Sequence, residues 1–395
     1  MNEKLAPDNV PAAEQRGRLR ELAVLFLRLG TVAFGGPAAH IAMMEEEVVR
    51  RRGWLTHGTF LDMIGACNLI PGPNSTEMAI HIGHRRAGFS GLAVAGVCFI
   101  VPAVIITIGV AWAYVAFGSM PQVNGVLYGV KPVIIAVVLQ ALWRLAQAAV
   151  RTRILLTVTL AGVMAGLLGV NELVILFGAG ALTIAAYLAT HPPAAGAAAR
   201  ALAIAAAPIA PLVTAAAAAP FNLSALFLFF LKVGSVLFGS GYVLLAFLQS
   251  GLVDRTHWLT QAQLLDAVAV GQVTPGPVFC TATFVGYLLG GTPAAIVATV
   301  GIFLPAFFFV AISGPLLPHI RRSPIAGVFL DGVNAGSLAL MVVVTGELSR
   351  AAVVDVTTAV LAIASAVLLL RFRINSVWLM LIGGVAGAAV RGFGG

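Results

Sequence analysis

A stretch of twenty residues occurs twice in this chain, and the repeat limits what the chain can fold into. Residues 54–73 align without a gap on residues 258–277, at an offset of 204, and eight of the twenty positions are identical. Both copies begin with Trp-Leu-Thr and end with Pro-Gly-Pro. The same offset pairs Arg28 with Lys232 upstream. The chain is therefore expected to contain two halves of one design, each broken by Gly and Pro at matching points.

The composition places both halves in a lipid bilayer. Hydrophobic residues make up 60% of the 395, charged residues only 10%, and the mean hydropathy is +1.00. A soluble domain carries roughly 25% charged residues. Helix is favoured because no alternating barrel pattern is present. The sequence thus predicts an all-α polytopic membrane protein, and two apolar halves with matching Gly/Pro breaks are typical of transporters built from inverted-topology repeats.

The expected layout has four parts. A polar N-terminal arm (1–21) precedes a first repeat (22–190), an Ala/Pro-rich connector (191–220) and a second repeat (221–395). The arm has no apolar core followed by a cleavage site, so it is not a signal peptide. Each repeat is expected to hold two Gly/Pro-broken hairpins and about four transmembrane helices. The eight long apolar runs are 89–117, 123–150, 154–170, 172–190, 294–315, 325–345, 353–370 and 376–390.

Arginine placement predicts the orientation. In the first repeat the clusters 50–52 and 85–86 fall on one side if each hairpin makes an even number of crossings, and that side, with the N-terminus, is assigned to the cytoplasm. In the second repeat the basic pairs move to 321–322 and 371–373, which have the opposite parity. We therefore expect inverted halves, with a connector that crosses the membrane once at 201–219. The net charge of +8 belongs to these loops and does not indicate a nucleic-acid partner.

The Gly/Pro breaks form the candidate binding site. Helices that restart after them are expected to aim unpaired N–H groups and positive dipole ends at one point near mid-membrane. Tetrahedral oxyanions suit such ends because they accept several N–H bonds at once. The alternative, that Pro-Gly-Pro only kinks a helix, stays open. The candidate positions are Gly35, Gly36, Pro37, Pro71, Gly72, Pro73, Asn74, Ser75, Gly239, Pro275, Gly276 and Pro277.

Two symmetry-related cations, Arg28 and Lys232, lie inside the first apolar run of each half. A charge at that depth costs several kcal/mol unless it is paired or hydrated. We expect both to supply countercharge to a dianion, with snorkelling to the interface as the alternative. Lys131 is a weaker candidate of the same kind, because its counterpart is Asn334.

Glu77, one turn after the first Pro-Gly-Pro, is the proton-coupling candidate because a buried acid can alternate between charge states. Asp62 and Asp266 occur in both halves and are expected to hold structure, by capping a helix or pairing with arginine. His81 and His84 stand three residues apart beside Glu77, but a third metal ligand at fixed spacing is missing. The sequence therefore predicts no cofactor and no metal. Glu77, His81 and His84 also contain no nucleophile–base set, so the sequence does not predict an enzyme.

The quoted motifs resemble the chromate ion transporter (CHR) family in its long, two-domain form. The resemblance covers about 20–390 and is carried by Phe34-Gly35-Gly36-Pro37, Phe238-Gly239-Ser240-Gly241 and the repeated Trp-Leu-Thr and Pro-Gly-Pro. It implies a bacterial inner-membrane secondary transporter that expels chromate, with sulfate as the related or competing anion and the proton-motive force as energy source. The second half departs from the first in having Ser240-Gly241 in place of Gly36-Pro37.

Two other functions are kept open beside chromate efflux. One is a transporter of sulfate or another inorganic anion, and the other is a passive anion channel, which would show neither saturation nor coupling. The expected partners are the oxyanion and the lipid bilayer, and a homodimer is left open.

Overall fold

The computed structural model describes residues 11–34, 36–118, 120–191, 220–238, 241–321, 323–372 and 374–392. These residues form seven α-helices in each half, in matching order. In the first half they are α1 (Ala12–Val32), α2 (Gly36–Glu45), α3 (His57–Cys67), α4 (Asn74–Phe117), α5 (Pro121–Ala149), α6 (Arg153–Leu167) and α7 (Glu172–Thr190). In the second they are α8 (Leu223–Val236), α9 (Leu244–Leu248), α10 (Gln261–Val273), α11 (Thr281–Arg321), α12 (Pro324–Ala352), α13 (Val356–Arg371) and α14 (Ser376–Gly392).

The prediction of an all-α polytopic membrane protein is confirmed. Among the described residues, five stretches are long and apolar enough to cross a bilayer. They are Asn74–Phe117, Val123–Ala149, Glu172–Thr190, Val278–Ser313 and Pro324–Ala352. Four shorter apolar helices, α6, α8, α13 and α14, accompany them. The predicted connector crossing at 201–219 lies outside the described residues.

Matching breaks divide the two longest helices. In α4 the backbone leaves helical geometry at Ala87 and Gly88, and in α11 at Gly290 and Gly291. Gly88 and Gly291 both have positive φ, 62° and 67°, which side chains other than glycine rarely adopt. These breaks repeat at an offset of 203, one less than upstream, so the second half lacks one residue between its Pro-Gly-Pro and its kink.

The first helix begins earlier than expected. The sequence predicts a polar arm up to residue 21, whereas α1 starts at Ala12 and runs on to Val32. Polar side chains in these added turns bind the region around the α4 kink. Gln15 Nε2 donates to the Ala87 carbonyl at 2.9 Å, and Arg86 pairs with Glu21 at 2.8 Å. The first turns of α1 therefore pack as part of the fold.

The chain divides into two compact units, and each draws on both halves. Unit 1 comprises the described residues of Met1–Met120, Phe221–Leu237 and Ala267–Leu316. Within it α1 packs along α4. At their crossing Gly30 lies so close that an added Cβ would sit 2.5 Å from the Phe99 carbonyl oxygen.

Unit 2 comprises the described residues of Pro121–Pro220, Phe238–Asp266 and Leu317–Gly395. In this unit, helices of one half pack on helices of the other half. Helix α5 packs on α13 and α14, while its counterpart α12 packs on α6 and α7. Small residues allow the backbones to meet, as at Gly129, where an added Cβ would collide with the Gly383 carbonyl.

The start of α13 offers a test of the fold in unit 2. Asp355 accepts the Thr358 N–H at 2.8 Å, and Thr358 reciprocates in a capping box. This N–H and the Tyr128 hydroxyl, which donates at 2.5 Å, lower the pKa of Asp355. We expect Asp355→Ala to lower the unfolding temperature of the detergent-solubilised protein by about 2 °C. Asp355→Asn, which can still cap, should unfold near the wild-type temperature, and equal losses in both variants would refute the capping role.

Candidate functional site

The two Pro-Gly-Pro tips lie in unit 1, each against the end of the first helix of the opposite half. Gly72 N–H donates to the Leu237 carbonyl at 2.9 Å, and Gly276 N–H donates to the Ala33 carbonyl at 2.9 Å. Ala33 and Leu237 are the C-cap residues of α1 and α8, and they are equivalent at the offset of 204. The two bonds are therefore reciprocal. Inverted halves are related by a two-fold axis in the membrane plane, and parallel halves by one along the membrane normal. Either axis would produce such a reciprocal pair of bonds, so the inversion of the halves stays a prediction.

The upstream break has the conformation that its residues predict. Helix α1 ends at Val32, Ala33 is extended, and Gly36 has φ of +78°. Pro37 then falls in the first turn of α2, where its missing N–H leaves no intrahelical bond unmade. Gly35, Gly239 and Ser240 lie outside the described residues, and in the second half a short 3-10 turn, Gly241–Val243, follows the break.

The start of α4 is a buried helix end without a cap. Both tip glycines use their N–H groups on the opposite half, and the N–H groups of Thr76 and Glu77 donate to the Pro73 carbonyl at 2.8 and 3.0 Å. The sequence expectation of unpaired N–H groups therefore falls on Asn74 and Ser75. Its N-cap is Pro73, and no side-chain hydrogen bond caps it. Other helices begin with a capping side chain, as at Thr56, Thr152, Asn171, Asn222, Ser323 and Asp355.

Polar side chains surround this uncapped end. Ser75 is 2% and Thr76 0% exposed, and Thr76 Oγ1 has no hydrogen-bond partner among the described residues. Asn74 donates from its amide to Asn68 Oδ1 at 2.9 Å. A buried hydroxyl without a partner is costly unless a ligand or water satisfies it. Hydroxyl and N–H donors at a helix start are of the kind that anions accept.

The second tip is chemically different. A single 3-10 turn, Val278–Cys280, replaces the polar start of α4, and all three of its residues are buried. The Thr281 hydroxyl donates to the Val278 carbonyl at 2.8 Å, so it is satisfied within its own turn. The two tips match in backbone but not in side chains, and the polar groups concentrate at the first.

Glu77 is packed directly against the first tip. It is 0% exposed, and neither carboxyl oxygen has a hydrogen-bond partner among the described residues. Gly72, with φ of +140°, leaves room for it, because a Cβ there would collide with Glu77 Oε1. His81 follows one turn later, and its Nε2 also has no partner in the described part of the chain. Glu77, His81 and His84 share one face of α4, at spacings of four and three residues.

Arg28 takes part in a cluster around Glu47. Its side chain is 61% exposed and lies 3.7 Å from Glu47 Oε1, which Arg51 contacts at 3.0 Å. Arg52 pairs with the other oxygen of the same carboxyl. Glu47 is only 9% exposed, so three guanidinium groups converge on one buried acid and leave the cluster net positive. Lys232, the counterpart of Arg28, is half-buried and has a partner.

Sequence reasoning missed His40, which lies in unit 1 just after the Gly/Pro break. It is 1% exposed, and its Nε2 lies 3.1 Å from the Ala33 carbonyl oxygen, the same atom that accepts from Gly276. His40 thus helps to hold the end of α1 that receives the second tip. Its counterpart is Leu244, and a histidine present in one half only was the signal available in the sequence.

The sequence does not link Lys131 with Asp266, but the two residues meet in unit 2. Lys131 Nζ lies 3.2 Å from Asp266 Oδ1, with side-chain exposures of 21% and 4%. Asp266 therefore pairs with a lysine, where the sequence suggested a helix cap or an arginine partner. Because Asp266 offsets its charge, Lys131 is a structural cation of α5.

The fold and the site define a class of protein: a polytopic membrane protein with paired Gly/Pro-broken hairpins around a buried, uncapped helix start. The family model described as "Chromate transporter" matches residues 20–187 and 224–388. The chain belongs to this family, which is one of transporters and not of enzymes.

Three relatives illustrate the range of the similarity. The chain is 32% identical to the chromate transport protein of Cupriavidus metallidurans over 99% of its own length and 98% of the relative's. It is 32% identical to that of Pseudomonas aeruginosa over 84% and 81%. It is 26% identical to an uncharacterised transporter of Methanocaldococcus jannaschii over 81% and 82%. No solved structure matches the chain.

Proposed function

We propose that the chain is a secondary active transporter of a divalent oxyanion, which expels chromate and is driven by the proton-motive force. The relatives named as chromate transport proteins support chromate as the substrate. Sulfate is proposed as the related or competing anion. The chain would lie in the bacterial inner membrane with its N-terminus in the cytoplasm, as the arginine placement favours.

One observation carries the proposal: the buried start of α4 has no cap, and beside it the Thr76 hydroxyl has no partner among the described residues. An oxyanion there would accept from the N–H groups of Asn74 and Ser75 and from the hydroxyls of Ser75 and Thr76. Gly72 has no side chain and so leaves room for the Glu77 carboxyl beside this helix start.

The remaining sequence candidates take supporting roles in this proposal. The second tip, Pro275 to Pro277, holds the end of α1 in place through the Gly276 hydrogen bond. Arg28 and Lys232 attract the dianion, Arg28 from within the net positive cluster around Glu47. If the halves are inverted, exchange of their two arrangements gives alternating access around one site.

The experiment that tests transport is counterflow in proteoliposomes. Vesicles loaded with unlabelled chromate should transiently accumulate labelled chromate above equilibrium, and the initial rate should saturate with concentration. A passive channel, the second candidate function, would give flux without saturation and no overshoot. No chromate-dependent flux under any gradient would contradict both functions. Parallel runs with sulfate and molybdate would rank the substrates.

Glu77 is the proposed proton carrier, because its carboxyl is fully buried beside the anion site and hydrogen-bonded to nothing among the described residues. An ionised acid without partners is costly in such surroundings, so the acid would bind a proton when buried and release it when the tip opens to water. We expect Glu77→Gln to remove the dependence of chromate efflux on an imposed pH gradient, since an amide releases no proton.

The amide should fit, since no hydrogen bond to the carboxyl is lost among the described residues. Glu14→Gln is the matched control, because this exposed acid pairs only with Arg18 in the same helix among the described residues. It should leave the pH-gradient dependence intact. An unchanged dependence in Glu77→Gln would show that another group carries the proton.

A further inference from the structure

Unit 2 contains a cavity of about 340 Å³ that no step of the proposed transport uses. It lies between the start of α7, the π-helical turn that follows α9, and the C-terminal part of α12. Apolar residues form part of its wall. Six polar or charged residues form the rest: Glu172, Gln249, Ser250, Asp254, Arg255 and Glu347.

Three side chains of this wall donate to acidic residues that also line it. Ser250 Oγ donates to Glu172 Oε2 at 2.9 Å, and Arg255 pairs with the same oxygen. Gln249 Nε2 donates to Asp254 Oδ1 at 2.9 Å. Arg255 keeps further N–H groups, while Gln249 Oε1, Asp254 and Glu347 contribute acceptors to the same wall.

Gln249 provides the observation that points to a ligand. Its side chain is 4% exposed, and its Oε1 has no hydrogen-bond partner among the described residues. An orphaned amide oxygen at a cavity wall is costly unless a bound donor or cation satisfies it. The amide is held in this orientation by its bond to Asp254, so the oxygen cannot be exchanged for the nitrogen without losing that bond.

The charge of the wall favours a cation. Arg255 offsets Glu172, which leaves Asp254 and Glu347 as additional carboxyls. Two further charged groups approach them, His257 beside Asp254 and Arg350 beside Glu347, and neither lines the cavity. The described residues contain no group of three His, Cys, Asp or Glu that could hold a bare metal ion. A cation in this cavity would therefore keep its water shell, and 340 Å³ is room for about ten waters at roughly 30 Å³ each.

We propose that this cavity binds one hydrated inorganic cation, which contacts Asp254, Glu347 and the Gln249 amide oxygen directly or through water. Carboxylates combined with retained water are the typical surroundings of Mg²⁺, and sodium is held by the same oxygen ligands. The site is independent of the oxyanion site in unit 1, so either can fail without the other.

The test is thermal unfolding of the purified full chain in detergent, with choline chloride as the reference salt at constant ionic strength and chloride. Replacing choline by Na⁺ or by Mg²⁺ should raise the unfolding temperature saturably, by several degrees at concentrations well above the dissociation constant. The ion that gives the saturable rise identifies the occupant. No rise with either ion would overturn the proposal.

Variants then locate the site. Glu347→Gln and Asp254→Asn should each weaken the ion-dependent rise at least tenfold in apparent affinity. Asp355→Asn, which removes one carboxylate outside the cavity, should keep it unchanged. A rise that survives in both cavity variants would place the ion elsewhere and overturn the proposal. Two variants are used so that poor folding of one does not decide the result.

Discussion

Replacing Gly72 by alanine is expected to abolish chromate efflux. Gly72 has φ of +140°, a conformation that alanine adopts only with strain of order 1–3 kcal/mol. The new Cβ would also collide with Glu77 Oε1 in a fully buried position. Either the tip moves away from the Leu237 carbonyl or the Glu77 carboxyl is displaced, and both changes disturb the proposed anion site. Efflux of labelled chromate from cells, measured at matched amounts of membrane-inserted protein, gives the result.

Two further glycine variants serve as a comparison and a control for this prediction. Gly276→Ala, with φ of +91° and a Cβ 2.5 Å from that of Ala103, should reduce efflux through the second tip. Gly109→Ala lies in α4, where an added Cβ meets nothing within 4 Å, and should transport as the wild type. Wild-type efflux in Gly72→Ala would show that the geometry of the first tip is not required for transport.

Removing Arg28 or Lys232 is the second change with a large expected effect. We expect Arg28→Ala and Lys232→Ala each to lower chromate efflux to background while the protein remains in the membrane. The protein should still fold without Arg28, because Arg51 and Arg52 continue to pair with the buried Glu47. The loss of attraction for a dianion, and not loss of structure, then explains the defect. Chromate efflux and membrane content are measured together.

The matched control for Arg28 is Arg50, which is 70% exposed and pairs with Glu46 at 3.6 Å. Arg50→Ala removes one guanidinium from the same region without touching Glu47, and it should retain most of the efflux. If Arg28→Ala and Lys232→Ala both transport at the wild-type rate, the two cations do not act on the substrate. A defect in Arg50→Ala as large as in Arg28→Ala would indicate a general loss of positive charge.

The long apolar helices were predictable from the sequence because a helix that spans a lipid bilayer needs a long run of predominantly apolar residues. The runs predicted from hydropathy agree with α5, α6, α7, α12, α13 and α14 within a few residues at most ends. The repeated Pro-Gly-Pro also predicted breaks at the correct places, since proline removes a backbone donor wherever it stands.

The partners of individual polar groups were not predictable. The bond from Gly276 to Ala33 joins residues 243 positions apart, and nothing in either segment specifies it. Arg28 pairs with Glu47, which lies in the π-helical turn after α2, and the sequence indicates only a break between the two residues. A hydropathy pattern places an acid such as Glu77 in a helix but does not reveal whether a partner faces it. These facts depend on which helices meet, and therefore on packing within and between the halves.

Equilibrium dialysis of labelled chromate against the purified protein tests the central claim most directly, since that claim is an oxyanion bound at the start of α4. We predict one saturable site, displaced by sulfate and weakened about tenfold or more in Thr76→Val, because one hydrogen bond to a charged ligand is lost. Thr107→Val is the matched control, since Thr107 is equally buried in the same helix and its hydroxyl also has no partner in the described residues. Equal affinity in Thr76→Val and Thr107→Val, or no saturable binding to the wild type, would contradict the account.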